Sequence, residues 1–109
     1  MAMDEELVER ARELVGSEYG ISERRMFGGV AFCVNGSMAF AVSGQGGLMV
    51  RVPAEDTEAL LALPHVVPMV MSGREVRGWV RVGADGCVDD GLADWVERGM
   101  EHTRTLPPQ

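Results

Sequence analysis

Asn35-Gly36 lies between two runs of alternating apolar residues, Val30 to Val34 before it and Met38 to Val42 after it. A two-residue Asn-Gly loop tolerates positive φ at both positions, and that geometry matches the right-handed twist of the flanking strands. The stretch is therefore tied to an antiparallel hairpin. Three glycines between Ser43 and Gly47 turn the chain again into a third strand, Leu48 to Val52, which completes a meander.

Helical signals flank this unit. From Asp4 to Val15, Leu7, Ala11, Leu14 and Val15 recur at helical spacing, Asp4, Glu5 and Glu6 place negative charge at the positive end of the helix dipole, and Gly16 is a plausible stop. Pro53 suits a first helical position, and Pro64 ends that helix near Leu63. A second hairpin follows, Val67 to Ser72 and Gly78 to Val82, joined through Gly73-Arg74-Glu75-Val76-Arg77. Asp85-Gly86 marks a turn, Asp89 or Asp90 caps a last helix carrying Leu92, Val96 and Met100 on one face with Trp95 beside it, and Pro107-Pro108 ends the ordered chain. The expected order is α-β-β-β-α-β-β-α in an α+β, two-layer sandwich, and 109 residues with 46% apolar content suffice for one core and one domain.

Charge follows this division. Residues 24 to 52 carry three arginines and no acid, and residues 64 to 82 three arginines and one acid, Glu75, while the helical stretches are acidic and bring the chain to −7. The sequence thus predicts anionic helices on one layer and a sheet bearing the positive charge. Strand alternation sorts the sheet further. Val30, Phe32 and Val34, then Met38, Phe40 and Val42, form one part of the face expected under the helices; Leu48, Val50, Val52, Met69, Met71, Val80 and Val82 extend it. Phe27, Ala31, Cys33, Ala39 and Ala41 fall on the opposite face, followed by Met49, Arg51, Arg77, Trp79 and Arg81. A sheet covered on one side leaves the other for solvent or a partner, and this side is more apolar than solvation requires.

Several chemistries find no support. The acidic balance argues against extended binding of nucleic-acid backbone, although a local basic patch is compatible with it. Cys33 and Cys87 form no CxxC pair, and with His65 and His102 they lack the close ligand pairs of a zinc module. Ser43 to Gly47 lacks the Lys-Ser/Thr of a phosphate loop and precedes a strand rather than a helix, so it reads as a turn. No nucleophile–base pair is visible, and no cofactor or metal is expected. Without a secretory leader or an apolar run near ~20 residues, a cytoplasmic location with reduced thiols is expected. Gly28 and Gly29 inside a strand segment point to a bulge or to close approach of another backbone.

Arg25-Met26-Phe27-Gly28-Gly29-Val30-Ala31-Phe32, then Asn35-Gly36-Ser37-Met38, Leu48-Met49-Val50-Arg51-Val52, Gly73-Arg74, Gly78-Trp79-Val80 and Arg104-Thr105-Leu106-Pro107-Pro108 together resemble the N-terminal domain of the TfoX/Sxy proteins. The resemblance implies a two-layer fold like that of secretion chaperones, α-β3-α-β2-α, and a part in regulating bacterial competence for DNA uptake. Better-known members act as transcriptional co-activators and carry a further C-terminal domain, so a stand-alone copy over residues 1–109 is implied, with 105–109 as a flexible tail. It also implies that Met26, Gly28, Gly29, Gly73, Arg74 and Gly78 serve the architecture, Arg74 by anchoring loops.

The expected function is a non-enzymatic interaction module. Phe27, Met49, Arg51, Arg77, Trp79 and Arg81 form the candidate contact face for a protein partner, a second copy of the chain included. The alternative is direct nucleic-acid binding, in which Trp79 stacks a base while Arg51, Arg77 and Arg81, with Arg24 and Arg25, hold phosphates.

Overall fold

A computed structural model describes residues 5–16, 20–26, 28–44, 46–88 and 90–106, apart from the side chain of Met26. Phe27, Asp89 and Pro107-Pro108, singled out in the sequence, lie outside the described residues, as does most of the expected tail.

The elements are α1 (Glu5–Val15), β1 (Ile21–Met26), β2 (Gly29–Val34), β3 (Ser37–Val42), β4 (Leu48–Arg51), α2 (Thr57–Leu60), β5 (Val66–Met71), β6 (Arg74–Val82) and α3 (Asp90–Arg104). A 3-10 turn, Ala54–Asp56, leads into α2, and a second, Ala84–Cys87, precedes α3. All neighbouring strands pair antiparallel in one six-stranded sheet, in the order β1-β2-β3-β4-β6-β5.

The sheet thus has one strand more than the sequence reading expects. β1, Ile-Ser-Glu-Arg-Arg-Met, has no apolar alternation and pairs with β2 from Ile21 opposite Val34 to Met26 opposite Gly29. An edge strand with exposed Ser22, Glu23, Arg24 and Arg25 shows little of the pattern by which a half-buried strand is recognised. The other elements keep the expected order. α2 is one turn long rather than extending from Pro53 to Leu63.

Both expected hairpins form. Asn35 and Gly36 have φ of 51° and 89°, and Ser72 and Gly73 have 53° and 78°. The second hairpin therefore closes over two residues in place of the five expected, and Arg74 to Arg77 join β6.

The core lies between one sheet face and the helices. Val30, Phe32, Phe40, Val42, Val50 and Val80 meet Leu7, Val8, Ala11 and Val15 of α1 and Leu92, Val96 and Met100 of α3. Phe32 and Phe40 are register partners whose rings stack at 4.8 Å. Fully burying a Leu- or Phe-sized side chain contributes ~1.5–3 kcal/mol, so this single layer contact supplies most of the driving force. On α1, Val8 takes the place expected for Leu14, which stays exposed at the edge of the buried stripe. α3 comes especially close to the sheet at Gly99, where a Cβ would stand 2.8 Å from the Ala39 carbonyl oxygen.

Candidate interaction face of the sheet

Cross-strand partners share a face, so the register identifies the side turned away from the helices. It carries Arg24 opposite Ala31, Ala31 opposite Ala41, Cys33 opposite Met38, Met49 opposite Arg81 and Arg51 opposite Trp79. Small residues in β2 and β3 keep the middle of this face low, and long side chains from β4 and β6 rise beside it. Arg25, opposite Val30, belongs to the helical side.

The composition of this face departs from expectation in β3 and in β5. Between Phe32 and Cys33 the partner jumps from Phe40 to Met38, which makes Ala39 a bulge residue. From that point alternation reverses: Ala39 joins the core and Met38 turns outward, opposite to expectation. In β5, Val67 lies opposite Arg81, so simple alternation carries Met69 and Met71, expected under the helices, onto the open face; the irregularity between Pro68 and Val70 places its extra residues in β6, where the partner passes from Val80 to Glu75.

The result is a cleft of ≈ 350 Å³ with walls of Met38, Met49, Met69, Met71 and Trp79, and with Arg81 as its charged residue among those described. Its floor includes Gly29, Ala41 and Gly44, which contribute little or no side chain. Gly29 is fixed by its own fold: a Cβ there would collide with the Val42 carbonyl. On the edge strand β5, Val67 and Met71 of the open side are 51% and 53% exposed.

Arginine sets the electrostatics. The Arg51 guanidinium carbon lies 5.0 Å from the centre of the Trp79 ring, and Arg51 Nε is buried without a hydrogen-bond partner. Arg81 Nη2 donates to Ser43 Oγ at 3.1 Å. Among the described residues, the ion pairs join Arg12 to Glu9 and Glu23, and Arg104 to Glu97, and none involves Arg51 or Arg81. The Arg12 hydrogen bonds tie α1 to β1 and hold the Glu23 carboxyl below its ordinary range.

Of the candidate contact residues, Met49, Arg51, Trp79 and Arg81 come together. Arg77 does not join them, because its Nη2 donates to the Ala54 carbonyl at 3.1 Å at the other end of β6. Phe27 is outside the described residues. Met38, Met69, Met71 and Ser43 were missed. In β5 the missing information is the phase of the strand, since Val66 and not Val67 enters the core, and Ala39 gives no local signal of its bulge.

Among the residues expected to serve the architecture, Gly28, Gly73 and Gly78 have φ of 78°, 78° and 93°. Gly78 N–H donates to Thr57 Oγ1 and its carbonyl accepts from Val52 N–H, both at 2.9 Å. Met26 opens the register of β1 against Gly29. Arg74 is exposed at the start of β6, and no hydrogen bond from its side chain to another described residue anchors a loop.

The remaining reactive groups are dispersed. Cys33 is buried on the open side and Cys87 in the core, where burial pushes its thiol up to about 11. His65 is exposed before β5 and His102 half-buried in α3. No cluster of three or more His, Cys, Asp or Glu suited to a metal occurs among the described residues, and no helix among them is long and apolar enough to cross a membrane.

Compared with known proteins, the chain matches the family model of the TfoX N-terminal domain over residues 13–103. No curated protein and no solved structure matches it.

Proposed function

Because the chain belongs to the TfoX N-terminal domain family, we propose that it is a non-catalytic interaction module that holds a protein partner on the open face of its sheet. One observation carries this reading: the helical core takes one side of the sheet, and the other brings Trp79, four methionines and the acid-free Arg51 and Arg81 together. Aromatic residues, methionine and arginine are the types enriched where proteins meet. The process is regulatory, competence or transcription being what the family resemblance implies, and the module works in the cytoplasm.

The partner has acidic and apolar groups. Two copies placed face to face would bring Arg51 and Arg81 of both into one contact with no described acid of this face to offset them, so a different protein fits this face better than a symmetric self-contact. Direct nucleic-acid binding has less behind it. Arg77 is engaged by Ala54, the cleft walls are apolar, and the chain carries −7 overall.

Capture from the native cell tests the reading when it compares the natural chain with two exposed-site variants. Met71→Asp on the open face should abolish a specific co-purifying protein, and Glu101→Lys on α3 should leave it. Equal recovery with both variants would remove the face from consideration. Light scattering separates the case of a second copy, and DNA titration at about 50 and 200 mM salt the case of nucleic acid.

A further inference from the structure

We propose that the cleft on the open face is a binding site for a small amphipathic anion, an apolar body carrying one carboxylate. The inference goes beyond the protein-contact reading and does not depend on it. Its starting point is depth. A face that only meets another protein can be flat, whereas here Gly29, Ala41 and Gly44 withhold side chains beneath walls of methionine and tryptophan. The resulting ≈ 350 Å³ falls within the size range of small-molecule sites, which begins at about 300 Å³. Methionine side chains adjust to irregular apolar shapes, so the walls fit a chain or ring without demanding one outline.

Charge supplies the second half of the argument. Among the described residues, Arg81 is the one charged residue that lines the cleft, and no acid lines it. Its Nη2 is fixed by Ser43 Oγ, and a guanidinium has five N–H donors in a planar fork, so donors remain for an incoming oxyanion. A carboxylate accepts such donors in a bidentate arrangement. One cation matches one negative charge, and the apolar walls disfavour a heavily hydrated body such as a nucleotide. The structure thus selects by charge at one end and by apolar volume at the other.

Trp79 lines the cleft, so entry of a ligand changes its emission. The other tryptophan, Trp95, is buried in the core and gives a constant background. The full chain is titrated with octanoate, octan-1-ol and octylamine, all below the micellar range. Octanoate should give a saturable change, with the alcohol and the amine weaker by roughly tenfold or more, the scale set by hydrogen bonds to a charged group. Arg81→Gln should bring octanoate to the level of octanol and leave octanol unchanged. Ala41→Leu, which fills the floor, should weaken all three. Chemical-shift mapping on the natural chain should place octanoate at Met49, Trp79 and Arg81, a readout that needs no variant to fold. Equal binding of the three probes, undiminished octanoate binding by Arg81→Gln, shifts elsewhere, or no saturable signal would each overturn the proposal. No partner is needed, so failure of the protein-contact reading leaves this result standing.

Discussion

Arg51 and Trp79 face each other across β4 and β6, with the guanidinium carbon 5.0 Å from the ring centre. The stack is not a simple gain in stability, because Arg51 Nε is buried without a partner. A cation–π contact contributes about 0.5–2 kcal/mol, and an unsatisfied buried donor costs about 1–3 kcal/mol.

These terms nearly cancel, which leads to a first expectation. Arg51→Met keeps the stem over the indole and removes both the charge and the orphaned N–H. Its unfolding free energy should lie within ~1 kcal/mol of the natural chain, or above it. Denaturant titration checks this, and a loss well beyond that range would mean that the charged stack holds the sheet together.

Gly99 sets the distance between α3 and the bulge. Replacement by alanine gains up to ~1 kcal/mol of helix propensity, yet the new Cβ would stand 2.8 Å from the Ala39 carbonyl oxygen and 3.2 Å from Val50 Cγ1. Backbone in the centre of a sheet yields poorly, so overpacking at ~1–3 kcal/mol should prevail. Gly99→Ala should therefore be less stable in thermal or denaturant unfolding, against the usual direction for an exposed helix.

The Arg12–Glu23 bond gives a pH dependence of known sign. Glu23 has its folded pKa lowered from 4.5, first by the Arg12 hydrogen bond. A carboxylate lowered on folding stabilises fully above its unfolded pKa and loses that contribution as pH falls through the folded one. The loss therefore begins near pH 4.5 and continues below it. Glu23→Gln should flatten this part of the stability-versus-pH curve and leave the shape of the neutral region unchanged.

Cys87 is a thiol kept neutral by burial, with its pKa pushed up to about 11. Since the thiolate is the reactive form, Cys87 should react with a thiol reagent at pH 8 only as fast as the protein opens. Addition of denaturant should raise the rate by orders of magnitude. Rapid labelling of Cys87 in the folded chain would contradict its place under α3.

How much of this was legible in the sequence depends on local chemistry. Asn35-Gly36 carries its own turn geometry, and the apolar alternation of Val30 to Val34 depends on nothing distant, so the first hairpin could be read directly. Met49, Arg51, Trp79 and Arg81 lie in regular stretches of β4 and β6, and simple alternation placed them on one face. β1 could not be read in this way because its pairing with β2 is the only reason it is a strand. The methionine walls were hidden for a related cause. One extra residue at Ala39 reverses alternation in β3, and the phase of β5 is set by Val67 pairing with Arg81, so both are fixed only by the neighbouring strand. The cleft, unlike the face, is thus a property of the register.

The central claim is that this face, rather than the helical layer, makes the contact in the cell. A photoreactive residue placed at Met71 and, separately, at Glu101 tests it under native conditions, since both positions are exposed. The account predicts a discrete cross-linked protein from position 71 and none from position 101. Cross-linking confined to position 101, or absent from both, would contradict it.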